Sequence, residues 1–190
     1  LPAASKCVMN IVAYYTIPYS VKYNLDKYLT AKFKTTNLVI GILNYQVYLD
    51  RDAMVAKHLN KDFVYKTAIE YLSQYSSIDR VIELDVVSET TLNTKVKELT
   101  TNGYFPSRSG DLQILFRPQW IDGFLNGGTT HGVWNPYDAH IPLIWYGWNI
   151  MPGKTYKDTY MTDIAPTAAA LLKIQMPNGC VGHVIDELIK

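Results

Sequence analysis

The stretch GGTTHGVWNPYDAHIPLIWYGWNI, residues 127–150, joins a loop of small residues to a long apolar run. Glycines lie on both sides of His131 in this loop, and they give its backbone conformations that other residues avoid. The apolar run, residues 141–147, has the composition of a strand in a sheet that is covered on both faces. The stretch therefore predicts a buried strand that is entered through an irregular loop.

The segment TDIAPTAAALLKI, residues 162–174, predicts a helix soon after this strand. Thr162 or Asp163 can cap the helix, and Pro166 is tolerated in its first turn. The alanines that follow allow close packing against a neighbouring element. A strand, a loop and a helix in this order indicate an α/β fold.

The first third of the chain predicts a helix followed by a strand pair. Residues 20–33 place apolar side chains three and four positions apart, which is the spacing of one buried helical face. Residues 37–50 are rich in β-forming side chains and are interrupted at Gly41 and Asn44. A hairpin or two short strands are expected there.

Further helices and a strand are predicted downstream. Asp50 and Asn60 are side chains that can cap two successive helices. Residues 91–101 predict a shorter helix that ends at an Asn-Gly pair, and Leu112–Phe116 predicts a strand. Because turn-forming residues become frequent between these last two elements, we place a boundary between residues 1–105 and residues 106–190.

Composition excludes some classes of function. The 190 residues carry 18 basic and 17 acidic side chains that interleave, which argues against a nucleic-acid polymer as partner. No apolar stretch reaches the roughly 20 residues of a membrane helix. The 15 tyrosines and 4 tryptophans suit half-wet surfaces such as sugar-binding faces and domain interfaces. Whether Cys7 pairs with Cys180 stays open, since thiols are often simply buried.

His131 is a candidate metal ligand only in combination with residues from elsewhere. Zinc takes about four nitrogen, oxygen or sulfur ligands, and no second histidine or cysteine stands at a local ligand spacing. Asp138 and His140 would face the same side of an extended segment, but an aspartate can equally orient a histidine or end a loop without metal. His58 is expected on a helix surface, and His183 in a C-terminal loop.

The motifs GTTHG, YDAHIPLIWYGWNI and TDIAPTAAALLKIQMPNGCVGHVIDEL resemble the C-terminal part of the alkaline phosphatase superfamily. Within it the chain is most similar to phosphate-irrepressible bacterial alkaline phosphatases, which are grouped with type I phosphodiesterases and nucleotide pyrophosphatases. The resemblance implies a partial α/β sandwich. Residues 106–190 would belong to its core, and residues 1–105 would be an α+β insertion or cap.

The resemblance also implies a role for His131. In that family the histidine of a Thr-His-Gly motif binds one of two zinc ions, and Thr130, His131 and Gly132 match the motif. The family's other ligands include an Asp-His pair and an Asp with a His four residues later, and neither pattern occurs here. No nucleophile of the family can be matched either. Zinc is therefore expected to be absent from the chain alone or weakly bound.

The resemblance implies that the chain is a fragment of a zinc-dependent phosphoric ester hydrolase. The parent enzyme would be periplasmic or secreted, would act on a small phosphate ester through a phosphothreonine or phosphoserine intermediate, and would need the N-terminal remainder of the polypeptide. Trp145 and Tyr146 would then lie in or near the sheet. The alternatives are a non-catalytic module that binds glycan or protein through exposed coplanar rings, and a degenerate homologue that has lost its metals.

Overall fold

A four-stranded antiparallel sheet organises most of the first 122 residues. The computed structural model describes residues 14–16, 18–122, 132–147 and 149–189. Its strands are β1 (Tyr14–Thr16), β2 (Val39–Leu43), β3 (Gln46–Leu49), β4 (Ile78–Glu83), β5 (Leu112–Phe116) and β6 (Trp120–Asp122). Its α-helices are α1 (Pro18–Phe33), α2 (Arg51–Ala56), α3 (Lys61–Leu72), α4 (Thr94–Gly103), α5 (Pro136–Ala139) and α6 (Ile164–Leu172).

The order of strands in the sheet is β2-β3-β5-β4, and every neighbouring pair is antiparallel. A two-residue turn joins β2 to β3, and its residues Asn44 and Tyr45 have φ angles of 49° and 62°. Left-handed conformations at both positions match the right-handed twist of a tight hairpin. Strands β1 and β6 form a separate parallel pair.

Two apolar clusters cover the two faces of this sheet. The larger cluster joins Leu25 and Leu29 of α1 to the buried side of α3 and to Ile114 of β5. The smaller cluster contains Leu115, whose side chain points to the opposite face because side chains alternate along a strand. The sheet therefore separates a main core from a minor one.

Most of the predicted elements are confirmed. The helix expected at 20–33 corresponds to α1, the strand pair to the β2–β3 hairpin, and the strand at Leu112–Phe116 to β5. Asp50 and Asn60 cap α2 and α3, each with a side-chain oxygen 2.8 Å from a backbone nitrogen of the first turn. The predicted helices at 91–101 and 162–174 are α4 and α6.

Three local predictions were wrong or incomplete. The apolar side chains of Phe63, Ala68, Leu72 and Tyr75 predict one buried face for the helix that Asn60 caps, and Ala68 and Leu72 are buried, but Phe63 is 52% exposed. Strand β4 was not predicted. His58 is exposed as expected, but it lies in the turn after α2 with a φ of 52° rather than on a helix.

The strand predicted at residues 141–147 does not form. Its residues have no strand pairing among the described parts of the chain, and Tyr146 is 99% exposed rather than in or near a sheet. Trp145 is partly buried. A strand requires a neighbour for its backbone N–H and C=O groups, so an apolar run without such a neighbour stays irregular.

The predicted boundary near residue 105 does not coincide with a break in the sheet. Strand β5 follows that boundary and lies between β3 and β4, both of which precede it. The chain divides by its contacts into Leu1–Ala139 and His140–Lys190. The assignment of residues 1–105 to an insertion and residues 106–190 to a core stays a prediction.

Polar contacts hold the second unit together around Asp163. Its two carboxylate oxygens accept the backbone N–H groups of His183 at 2.9 Å and Tyr160 at 2.8 Å. The hydroxyl of Thr167 donates to the Asp163 carbonyl at 2.6 Å and accepts the N–H of Ile185 at 3.0 Å. Asp163 thus lies at the start of α6 as predicted, but its side chain makes no capping hydrogen bond to that helix and ties the C-terminal loop to its start instead.

Every helix in the described ranges is too short or too polar to span a lipid bilayer.

Candidate functional site

The structure describes the loop next to the candidate ligand His131 from Gly132 onwards. His131 itself lies outside the described residues, as do residues 123–130 before it. Gly132 has a φ of 131°, a conformation that side-chain-bearing residues rarely adopt. The peptide that leaves His131 therefore depends on glycine at this position.

Asp138 fixes the backbone that follows His131. One of its carboxylate oxygens accepts the N–H groups of Gly132 and Val133, both at 3.0 Å. Asp138 itself sits in α5, where its own N–H donates to the carbonyl of Asn135 at 2.9 Å. Segment 132–139 is therefore a closed loop that is stabilised by charge-assisted hydrogen bonds.

Side chains of the same segment attach it to the sheet. Trp134 packs against the minor cluster formed by Ile82, Val87 and Leu115. The hydroxyl of Tyr137 accepts the backbone N–H of Gln119 at 2.8 Å. These two side chains thus hold the segment that follows His131 in place.

Tyr45 at the tip of the β2–β3 hairpin lies directly against Gly132. A Cβ atom at Gly132 would be 3.0 Å from the Tyr45 hydroxyl oxygen and 3.2 Å from its ring. The ring also meets Phe116 edge to face, with 5.0 Å between centroids. The backbone angle therefore favours glycine here, and Tyr45 leaves only a tight space for a Cβ atom.

The described residues do not form a metal site by themselves. Within those ranges no three histidine, cysteine, aspartate or glutamate side chains come together. The possible pairing of Asp138 with His140 assumed an extended segment, whereas Asp138 lies in helix α5 and its carboxylate binds backbone N–H groups. His140 is exposed. His183 lies in the C-terminal loop, as predicted, and its backbone N–H donates to Asp163.

A second group of polar contacts, centred on Asp111, was not predicted from the sequence. Its buried carboxylate accepts the backbone N–H of Leu49 and the Nε–H of Arg51, both at 2.7 Å, and the hydroxyl of Tyr65. Burial first, and then the neighbouring Asp111, raise the pKa of Tyr65. The hydrogen bond to Asp111 raises the pKa of Arg51. Asp111 thus joins the start of α2 to α3 and β5.

A cavity of about 320 Å³ opens beside this centre, lined in part by Arg51, Tyr65 and Tyr104. Lys61 lies over the Tyr65 ring at 4.8 Å and binds Asp85, with Glu83 at 3.3 Å. The hydrogen bond to Asp85 raises the pKa of Lys61. Because both cationic groups already have acidic partners, the cavity wall is close to electrically balanced, and it does not resemble a phosphate site.

The clustered tyrosines Tyr28, Tyr71 and Tyr75 do not form the flat platform that glycan binding requires. Tyr28 and Tyr71 stack face to face, with ring centroids 4.5 Å apart and planes at 22°, and Tyr75 meets Tyr71 at 69°. Burial and the contact with Tyr75 raise the pKa of Tyr71 to about 12. Rings that cover one another are not coplanar side by side, so this cluster does not favour the alternative of a glycan-binding module.

Similar proteins were found by sequence. The chain is 39% identical over 169 residues to alkaline phosphatase PafA of Elizabethkingia meningoseptica, and 38% identical over 170 residues to alkaline phosphatase PhoV of Synechococcus elongatus. It is 41% identical over 172 residues to a protein of Myroides odoratus named calcium-transporting ATPase. These alignments cover 89–90% of this chain and 30–31% of each relative. No protein-family model matches the chain.

Solved structures give the same result. The crystal structure of wild-type PafA matches 90% of this chain with a TM-score of 0.85 and 38% identity, and a PafA mutant matches 89% with a TM-score of 0.84 and 39% identity. The chain therefore has part of the alkaline phosphatase fold. The resemblance to alkaline phosphatases that the sequence indicated is confirmed. Since the matches cover 32–33% of the PafA chains, the chain corresponds to about a third of the solved protein.

Proposed function

We propose that the chain is a C-terminal part of a zinc-dependent phosphoric ester hydrolase of the alkaline phosphatase type. The observation that carries the proposal is the combined match to PafA, at 38% identity and a TM-score of 0.85. Two relatives are named alkaline phosphatases and the third is named an ATPase, so all three names denote hydrolysis of a phosphate bond. A small phosphate ester is the proposed substrate class.

His131 is the proposed metal ligand of this chain. Its imidazole nitrogen is a donor that suits zinc, but one donor cannot hold the ion with useful affinity. The described residues contain no cluster of three ligand side chains, and the proposal places the remaining ligands in the N-terminal remainder of the polypeptide. Zinc would stabilise the charge that develops on the phosphoryl oxygens during transfer.

The described residues that follow His131 would act by fixing the backbone next to it. Asp138 holds the N–H groups of Gly132 and Val133, and Tyr45 limits the space at Gly132. A ligand that is held in place before the ion arrives loses less conformational entropy on binding. These contacts support a histidine that contributes to a metal centre completed elsewhere.

The remaining parts of the proposal concern the whole enzyme. Phosphoryl transfer would proceed through a phosphothreonine or phosphoserine, whose side chain lies outside this chain. The enzyme would be periplasmic or secreted, and preference for a monoester or a diester would depend on residues beyond this segment. The chain by itself would be inactive, because it contributes one matched ligand and no matched nucleophile.

The test compares His131→Ala with His140→Ala in the longer protein. We expect His131→Ala to lose most of its bound zinc and at least about a hundredfold of its activity on p-nitrophenyl phosphate, because an absent ligand removes transition-state charge stabilisation. His140 is exposed, so its replacement should change zinc content and rate little. A His131→Ala protein with normal zinc content and turnover would rule out the metal assignment. A longer protein that binds no zinc and has no phosphatase activity would instead favour a degenerate homologue or a binding module.

A further inference from the structure

The cavity of about 320 Å³ in the first unit has the size of a small-molecule site. Its wall includes Arg51 of α2, Lys61 and Tyr65 of α3, Asp85 after β4, and Tyr104 at the end of α4. Pockets that bind small molecules are typically about 300–1,000 Å³ and combine an apolar lining with a few fixed polar groups. We call this space the Arg51 cavity.

The polar side chains named above are held in place by partners within the same unit. Asp111, which is 4% exposed, accepts the Nε–H of Arg51 at 2.7 Å and the hydroxyl of Tyr65. Lys61 binds Asp85 and lies over the ring of Tyr65. Because these groups are fixed before a ligand arrives, binding has to order few side chains.

Arg51 can donate to a ligand without releasing Asp111. A guanidinium carries several N–H groups, and the one that Asp111 accepts is on Nε. The Arg51 side chain is 54% exposed and lines the cavity, so a molecule in the cavity can reach it. A ligand with a carbonyl oxygen would therefore find a hydrogen-bond donor at this point.

The charges around the Arg51 cavity favour a ligand without net charge. Arg51 is paired with Asp111, and Lys61 is paired with Asp85 and with Glu83. An anion in the cavity would face Asp85, a cation would face Arg51 and Lys61, and either would lose hydration on entry. A neutral ligand avoids both costs.

The remaining wall favours an aromatic ring. Met54, Val55 and Leu59 form the aliphatic part of the wall, and Tyr104 adds a ring. Thioethers, tyrosine rings and guanidinium groups all make favourable contacts with aromatic faces. We propose that the Arg51 cavity binds a small neutral molecule that combines an aromatic ring with a carbonyl acceptor, as aromatic amides do.

The first test compares three ring compounds of nearly the same shape but different charge. Benzamide is neutral, benzoate is an anion and benzamidine is a cation. In a chemical-shift titration of the 190-residue chain, benzamide should cause saturable shifts at residues 51–61 with a dissociation constant of about 1–10 mM. The two charged compounds should bind about tenfold more weakly. Equal or tighter binding of either charged compound would overturn the proposal, as would benzamide binding elsewhere or not at all.

The second test fills the cavity with Val55→Trp and uses Ile40→Trp as a matched control. Val55 lines the cavity and is 75% exposed, so a larger side chain there can occupy the space without displacing the core. Ile40 is 65% exposed in β2 and is not part of the wall. Val55→Trp should weaken benzamide binding at least about tenfold, and Ile40→Trp should leave it unchanged, with both melting temperatures close to that of the parent chain. Undiminished binding by Val55→Trp would refute the site.

The same titration in the longer protein asks whether the cavity stays open there. Binding to both proteins supports the proposal, whereas binding to the 190-residue chain alone would mean that the remainder of the polypeptide covers the cavity, which would overturn it. The proposal does not depend on the proposed function, since none of the lining residues belongs to segment 132–139. A longer protein that binds benzamide but lacks phosphatase activity supports the cavity and refutes the hydrolase. An active zinc phosphatase that does not bind benzamide refutes the cavity alone.

Discussion

The backbone N–H of His183 donates a hydrogen bond of 2.9 Å to the side chain of Asp163, which lies 20 residues earlier in the chain. Burial tends to raise the pKa of this carboxyl, but the N–H donors of His183 and Tyr160 outweigh that effect and hold the pKa below its usual value. The charged carboxylate is therefore the form that ties the C-terminal loop to the start of α6.

A pH dependence follows from the lowered pKa of Asp163. The group contributes stability that is fully present above the unfolded value of about 3.9 and is lost as the pH falls through the lower folded value. We expect amide exchange of residues 182–185, measured relative to the intrinsic rate, to lose protection below about pH 4. Asp163→Asn should remove this pH dependence, whereas Asp158→Asn, at an exposed position, should preserve it. Unchanged protection of residues 182–185 down to pH 2 would contradict the assignment.

Gly182 should not accept a side chain. A Cβ atom there would lie 2.0 Å from the carbonyl oxygen of Thr162, so backbone would have to move. We expect Gly182→Ala to destabilise the second unit by roughly 1–3 kcal/mol, seen as faster amide exchange or proteolysis of the C-terminal loop. Gly153→Ala is the control, because nothing lies within 4 Å of the added atom. Equal behaviour of the two variants would show that the close approach is absent in solution.

Asp111 should be the most sensitive polar residue of the first unit. Asp111→Ala leaves the N–H of Leu49 and the hydroxyl of Tyr65 without their acceptor, and we expect a loss of roughly 2–4 kcal/mol in the free energy of unfolding. Tyr65→Phe should cost about 1 kcal/mol, since it removes one donor. Arg51→Gln should cost less than Asp111→Ala, because Asp111 keeps the N–H of Leu49 and the hydroxyl of Tyr65 as donors and the Arg51 side chain is 54% exposed. Urea denaturation measures all three, and a larger loss for Arg51→Gln than for Asp111→Ala would refute this ranking.

Asp138 offers a test of the His131 loop that needs no metal. Asp138→Ala removes the acceptor of two backbone N–H groups, so the amides of Gly132 and Val133 should exchange at least about tenfold faster, which corresponds to about 1.4 kcal/mol. Asp138→Asn keeps one acceptor oxygen and should show a smaller effect. In the longer protein, the proposed function also predicts that Asp138→Ala binds zinc more weakly. Exchange that is unaffected by Asp138→Ala would mean that the loop is fixed by other contacts.

The sequence predicted those features whose causes are local. Asp50 and Asn60 cap helices through hydrogen bonds that span three residues, and such spacings can be read directly. The Asp111 centre was missed because its partners Arg51 and Tyr65 are 60 and 46 residues away, and a Gly-Asp pair before a strand looks like an ordinary turn. Strand β4 was missed for a related reason: among the described strands it pairs with β5 alone, and its buried positions do not alternate.

The candidate site was predictable only through resemblance. Spacing alone leaves His131 with no local co-ligand, and one of the contacts at the neighbouring Gly132 comes from Tyr45, far away in the chain. The strand expected at residues 141–147 was predicted from its composition but does not form. Its composition is that of a buried strand, but composition does not supply the neighbours that a strand needs.

The position of β5 between β3 and β4 also constrains how the protein is made. Both neighbours are synthesised before β5, so a growing chain that ends short of residue 112 carries a hairpin and β4 with no strand between them. Each of those strands then presents an open edge to other nascent chains. These two edges cannot close until residues 112–116 have been synthesised, so during this interval of translation the chain carries unpaired strand edges that favour association with other chains.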